Sequence, residues 1–217
     1  ALPIYLCGGF PQYGNPQDHF YSLPQLFSLV LDLWVALQLS TVIILIAGYI
    51  GWVRFGRDVL RLSDAWSQVL ALVCSANGFY FLHMVVGHMW VLPLPLLSWL
   101  LWLIFLPGRE ATKTLWTRAV LFGFLTAFFV YSGSQTLIIL ILLTVASMLP
   151  IAVSLDENPL GRLHTLARRL SVYGLCSAVL SASKLVAVYS LLSTLQMEAN
   201  FSGYHANENI LLFALKS

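Results

Sequence analysis

The chain has 217 residues, 59% of them hydrophobic and only 9% charged, with a mean hydropathy of +0.83. A soluble domain carries roughly a quarter charged residues, so water could not hold this surface and the class is an integral membrane protein. A net charge of +2 gives no basic patch for nucleic acid, and the basic residues serve better as topology signals.

Residues 1–32 hold four prolines, three glycines and several aromatics, with no Lys or Arg. Gly-Gly, Gly-Asn-Pro and the spaced prolines mark turns. This predicts an ordered loop with short interfacial segments, because a flexible linker would hold fewer aromatics. Its polar residues are Gln12, Asn15, Gln17, Asp18 and His19.

Six apolar stretches follow, at about Leu33–Val53, Trp66–Val86, Val91–Leu106, Ala119–Tyr131, Thr136–Ser154 and Ser171–Leu195. They run continuously rather than alternating, which argues against barrel strands, and backbone amides in lipid must then pair within helices. The expected fold is an all-α, polytopic membrane protein of about six transmembrane helices. A helix crossing ~30 Å of hydrocarbon needs ~20 residues. The third and fourth stretches are short, so they must recruit flanking residues, sit in a thin region or be covered by neighbours.

The second stretch contains "SANGFYFLHMVVGHMW", with His83 and His88 five apart. Five residues turn a helix through about 500°, so one continuous helix cannot aim both imidazoles at one ion. Gly87 offers a break that would let His88 swing back, yet no Cys or carboxylate nearby completes a metal set. His83 could serve as a lone pigment ligand. His88, beside Gly87 and Trp90, suits a catalytic or phosphate-contacting group where the span meets water; the alternative is an aromatic and polar interface belt. "YSGSQT" (131–136) reads as a tight turn of small residues, and Cys74 and Cys176 as small buried hydrophobes rather than ligands.

Lys184 stands inside the last stretch, in "SASKLVAVYS". A lysine there is costly unless it is paired or snorkels. Its readings are a snorkel to the interface, a structural pair with a carboxylate such as Asp32, or a cation facing an anionic headgroup.

Nine of the eleven Lys and Arg fall in three alternate loops, around Arg54–Arg61, Arg109–Arg118 and Arg162–Arg169. The positive-inside rule assigns these loops to the cytoplasm. Residues 1–32 and 196–217 are then extracytoplasmic segments flanking a six-helix domain at 33–195. An outside N-terminus without a signal-peptide pattern leads us to expect an earlier span before Ala1, and "ENILLFALKS" to begin a further segment.

In order, "CGGFPQYGNPQDHFYSLP", "SANGFYFLHMVVGHMWVLPLPLLSWLLW", "YSGSQTLIIL" and "LSASKLVAVYSLL" resemble the middle of bacterial membrane proteins of the GT-C glycosyltransferase superfamily, in the branch resembling dolichyl-phosphate-mannose mannosyltransferases. The resemblance implies a bacterial inner-membrane location and a polyprenyl-phosphate sugar donor used from the outer leaflet. It also implies inversion at the sugar, with a divalent metal in some branches only. The family's catalytic acids precede the region seen here, and Asp18 matches a later part of its loop. Sugar transfer needs a carboxylate to deprotonate the acceptor and donors to stabilise the departing phosphate. On this implication Asp18 is the candidate base, His19, His88 and Lys184 face the phosphate, and Gln12, Asn15 and Gln17 bind sugar hydroxyls. Partners would be membrane lipids and the lipid-linked sugar. The competing class is a non-catalytic subunit of a larger respiratory or photosynthetic membrane complex, contacting lipid, pigment or other subunits. A transporter fits less well, because the spans lack charges apart from Lys184 and show no inverted repeat.

Overall fold

The computed structural model describes residues 22–107, 111–154, 156 and 158–201, with Gln135, Thr136, Leu192 and 194–201 in backbone only. It also pairs Tyr5–Leu6 (β1) antiparallel to Phe10–Pro11 (β2), with Tyr5 opposite Pro11. The chain is an all-α, polytopic membrane protein. Among the described residues, five helical stretches are long and apolar enough to cross a membrane, and a sixth, Met89–Phe105, is shorter.

A short helix, α1 (Leu23–Phe27), leads into the first long one, α2 (Leu33–Asp58). The Asp32 carboxylate caps α2 by accepting the Trp34 amide at 2.9 Å. Ala36, Ser40, Ile44, Gly48, Gly51 and Phe55 form a buried stripe along α2, and the buried Gly56 beside it faces Ser67. The helix turns over at Arg61, which takes a left-handed φ of 56°.

The second apolar stretch is two helices, α3 (Asp64–Ser75) and α4 (Gly78–Val86). Asn77 sits between them and serves both. Its Oδ1 accepts the Tyr80 amide at 2.8 Å, and its Nδ2 donates to the Cys74 carbonyl at 3.2 Å. Backbone freed from a helix at membrane depth is tolerated only where it lies against protein or lines a cavity, and Asn77 meets part of that demand.

The third stretch departs most from a straight span. It makes two 3₁₀ turns, Met89–Val91 and Leu94–Leu96, before the nine-residue α5 (Leu97–Phe105). Pro93 and Pro95 lack amide donors, which prevents a regular helix in its first half. Of the three remedies for a short span, it takes cover by neighbours: Leu100, Leu101, Leu103, Ile104 and Phe105 are all buried. Gly48 and Gly51 let it lie directly on α2. The Ser98 hydroxyl donates to the Gly48 carbonyl at 3.1 Å, and the Trp99 indole to Ala47 at 2.8 Å.

The fourth stretch recruits flanking residues to become α6 (Thr112–Tyr131), followed by α7 (Gln135–Ser154) and the 43-residue α8 (Pro159–Phe201). α6 and α8 run parallel and close. Phe122 stacks on Tyr173 with centroids 5.0 Å apart, and a Cβ on Gly123 would stand 2.9 Å from Leu180. Outward-facing positions carry Val85, Val179, Leu142 and many similar residues, as lipid requires.

The basic loops gather at one end. Arg54 lies over the Trp99 and Trp102 rings, 5.4 and 5.8 Å from their centroids, and Trp102 donates to Asp58 at 2.8 Å. Arg57 pairs with Asp64 at 3.1 Å. Arg162 donates to the Phe105 carbonyl at 2.6 Å, and Arg169 to Ile104 at 3.0 Å and also to Leu106. Arg168 remains exposed, but Arg162 and Arg169 turn inward and satisfy the open carbonyls at the C-terminus of α5.

Candidate functional site

α8 is amphipathic in the inverted sense expected of a helix bathed in lipid. Leu166, Arg169, Tyr173, Ser177, Ser181 and Lys184 are all buried, at intervals of three or four residues that put them on one face. Polar side chains thus face the bundle and apolar ones face outward. The Tyr173 hydroxyl reaches the Leu103 carbonyl at 3.5 Å, and the Ser177 hydroxyl bonds back to the Tyr173 carbonyl at 2.8 Å. Among the described residues the buried Ser181 hydroxyl finds no hydrogen-bond partner.

Lys184 closes this stripe at the end away from the basic loops. It lies fifteen residues beyond Arg169, about 22 Å along the helix axis. Its side chain is 0% exposed, so it does not snorkel to the surface. Asp32 is exposed and uses its carboxylate to cap α2, so the suggested structural pair between the two is not formed. Nearby stands the end of α6. The Tyr131 hydroxyl lies 2.6 Å from that of Ser183 and donates to the Leu180 carbonyl at 3.3 Å. The "YSGSQT" motif is the tight turn expected: Gly133 takes a φ of 71°, while Ser132 and Ser134 are buried. A cation and several hydroxyls are thus concentrated at one end of the α6–α8 pair.

The two histidines form a separate corner. α4 ends at Val86, and Gly87 adopts a left-handed φ of 89° that any other residue would resist. The His88 amide then donates back to the His83 carbonyl at 2.8 Å. The rings come to 5.5 Å between centroids, with Trp90 also 5.5 Å from His83. The break at Gly87 has done what a continuous helix could not. His83 Nδ1 lies 2.9 Å from the Phe79 carbonyl, which can only accept, so this nitrogen donates the bond. Among the described residues no group of three His, Cys, Asp or Glu side chains could hold a metal ion.

Of the residues singled out from sequence, His88 and Lys184 have described positions, each with its own neighbours: His83 and Trp90 for one, the α6–α8 pair for the other. Gln12, Asn15, Gln17, Asp18 and His19 lie outside the described residues. Sequence reasoning missed Arg169, Tyr173, Ser181 and Tyr131. Their signal was available in the spacing of polar residues along 166–184, which repeats as a helix face repeats. No protein-family model, curated protein or solved structure matches this chain.

Proposed function

We propose that the chain forms the membrane part of a GT-C-like glycosyltransferase that moves a sugar from a polyprenyl-phosphate donor to an acceptor hydroxyl at the extracytoplasmic face. The observation that carries this reading is the fully buried Lys184, set among hydroxyls at the end of the bundle opposite the basic loops. A lipid phosphate entering from the membrane brings the dianionic or monoanionic group that such a lysine suits. In the reaction the acceptor oxygen bonds to the anomeric carbon as the bond to the phosphate oxygen breaks, and the phosphate departs on its lipid. Asp18 takes the acceptor proton. Lys184, with His19, bears the charge developing on the phosphate, while Gln12, Asn15 and Gln17 hold the sugar; His88, in its separate corner beside His83, takes no part in this step.

The test is turnover of a radiolabelled polyprenyl-phosphate sugar by the full-length protein in proteoliposomes. Lys184→Met is expected to lower kcat by about 100-fold, the effect of removing one group that stabilises developing charge, with Lys184→Arg less impaired. Asp18→Asn is expected to abolish turnover. Activity unchanged in both Lys184→Met and Asp18→Asn would refute the proposed site. A wild-type protein that turns over no such donor would favour the accessory-subunit reading.

A further inference from the structure

The break between α3 and α4 borders a cavity of about 280 Å³ lined by Trp52, Cys74, Ser75, Asn77, Tyr80 and Pro95, among others. Tyr80 is 1% exposed, and among the described residues neither its hydroxyl nor the buried hydroxyl of Ser75 has a hydrogen-bond partner. A buried hydroxyl without a partner is destabilising, and two in one cavity wall call for an occupant that supplies the acceptor or donor. Among the described residues no Lys, Arg, His, Asp or Glu lines this cavity, so a charged headgroup would find nothing there to balance it.

An open groove on the bundle surface meets this cavity at Ser75. Its lining includes Leu45, Ile46, Tyr49, Leu72 and Phe81, and it is apolar. Leu72, Ile46 and Phe81 also contribute to the exposed apolar surface, which in a membrane faces lipid chains. Together the cavity and the groove make a polar-ended recess with an apolar approach from the bilayer. Both lie around Ser75 and Asn77, midway along the Asp64–Val86 span and therefore at membrane depth.

We propose that this recess binds a neutral, single-chain lipid with a hydroxyl or carbonyl head. The head occupies the inner cavity, hydrogen-bonding the Tyr80 and Ser75 hydroxyls, and the chain leaves along the apolar groove by Phe81. Asn77 already directs its amide to Cys74 and Tyr80, so it shapes the recess and leaves the two hydroxyls for the guest. This site is distinct from the Lys184 region and does not depend on the transferase reading.

The experiment uses full-length protein in phosphatidylcholine vesicles and a hexadecanol carrying a photoactivatable diazirine on its chain, with adducts mapped by peptide mass spectrometry. Labelling is expected to concentrate around Tyr49 and Phe81 and to be displaced saturably by unlabelled hexadecanol in the unaltered protein. Tyr80→Phe keeps the ring and removes one hydrogen bond, so apparent affinity should fall about fivefold. Ser75→Leu fills the junction and should remove the specific adduct. The corresponding diazirine fatty acid, ionised as its carboxylate, should label the recess poorly. Labelling spread evenly over the exposed apolar faces, or not displaced by excess hexadecanol in the wild type, would overturn the site. Equal specific labelling by the fatty acid would overturn the neutral class of ligand.

Discussion

The contact between α2 and α5 gives the sharpest test of how this bundle is packed. A methyl group added at Gly48 would stand 2.4 Å from the Pro95 Cβ and 2.7 Å from its carbonyl oxygen. Carbon atoms in contact sit ~3.5–4.0 Å apart, so the start of the third stretch must withdraw by about 1 Å. That movement pulls on two bonds at the same seam, from Ser98 to Gly48 at 3.1 Å and from Trp99 to Ala47 at 2.8 Å. Overpacking costs ~1–3 kcal/mol. Each neutral hydrogen bond is worth ~0.5–1.5 kcal/mol. Alanine's better helix propensity returns ~1 kcal/mol. The net expectation for Gly48→Ala is therefore a loss of about 3 kcal/mol. The assay is reversible unfolding in mixed micelles as the SDS fraction rises, followed by tryptophan fluorescence. Gly174→Ala is the control, because no atom lies within 4 Å of its would-be Cβ. It should be neutral, or more stable by up to ~1 kcal/mol. The packing argument fails if Gly48→Ala unfolds within ~0.5 kcal/mol of wild type, the usual range for a substitution that disturbs nothing.

The same unfolding assay serves three other predictions. Arg169→Met leaves the Ile104 carbonyl without its cation and the Leu106 carbonyl with only the 3.4 Å bond from Arg162, and should cost ~2–3 kcal/mol; Arg169→Lys should recover only part, since an ammonium lacks the forked donors of a guanidinium. Asn77→Ala loses both links across the α3–α4 break and should cost ~1–2 kcal/mol, with Asn77→Asp intermediate because it keeps only the bond from the Tyr80 amide. Gly87→Ala meets no clash but must hold a φ of 89°, so it should cost ~1–2 kcal/mol, and Gly87→Asn less.

The apolar runs located the membrane helices because lipid selects composition over long windows, and Thr112–Tyr131 shows that even a short run can gain length from polar neighbours. What such windows average away are single residues inside a run. Asn77, followed by Gly78, is a turn signal within an otherwise continuous apolar stretch, and it splits α3 from α4. Pro93 and Pro95 likewise divide the third stretch into two 3₁₀ turns and a short helix. For the candidate site, Lys184 and the Gly87 break stood out because each violates its surroundings. Arg169 did not, since a basic residue near a loop looks like every other topology signal. Only its position on the face of Leu166 and Tyr173 reveals that it points inward.

The arginine clamp on α5 also sets an order of assembly. Arg169 closes onto Ile104 across 65 positions of sequence. At ~5–20 residues per second of synthesis, roughly 3 to 13 s separate the emergence of α5 from that of its clamp. During that interval the short, proline-broken segment has α2 beside it but lacks the cation that satisfies its last carbonyls. Its final seat in the bilayer is thus fixed late, when α8 arrives. Truncation before Arg162 should then leave the third segment accessible to impermeant labelling reagents at its C-terminal end, even with α2 and α3 already in place.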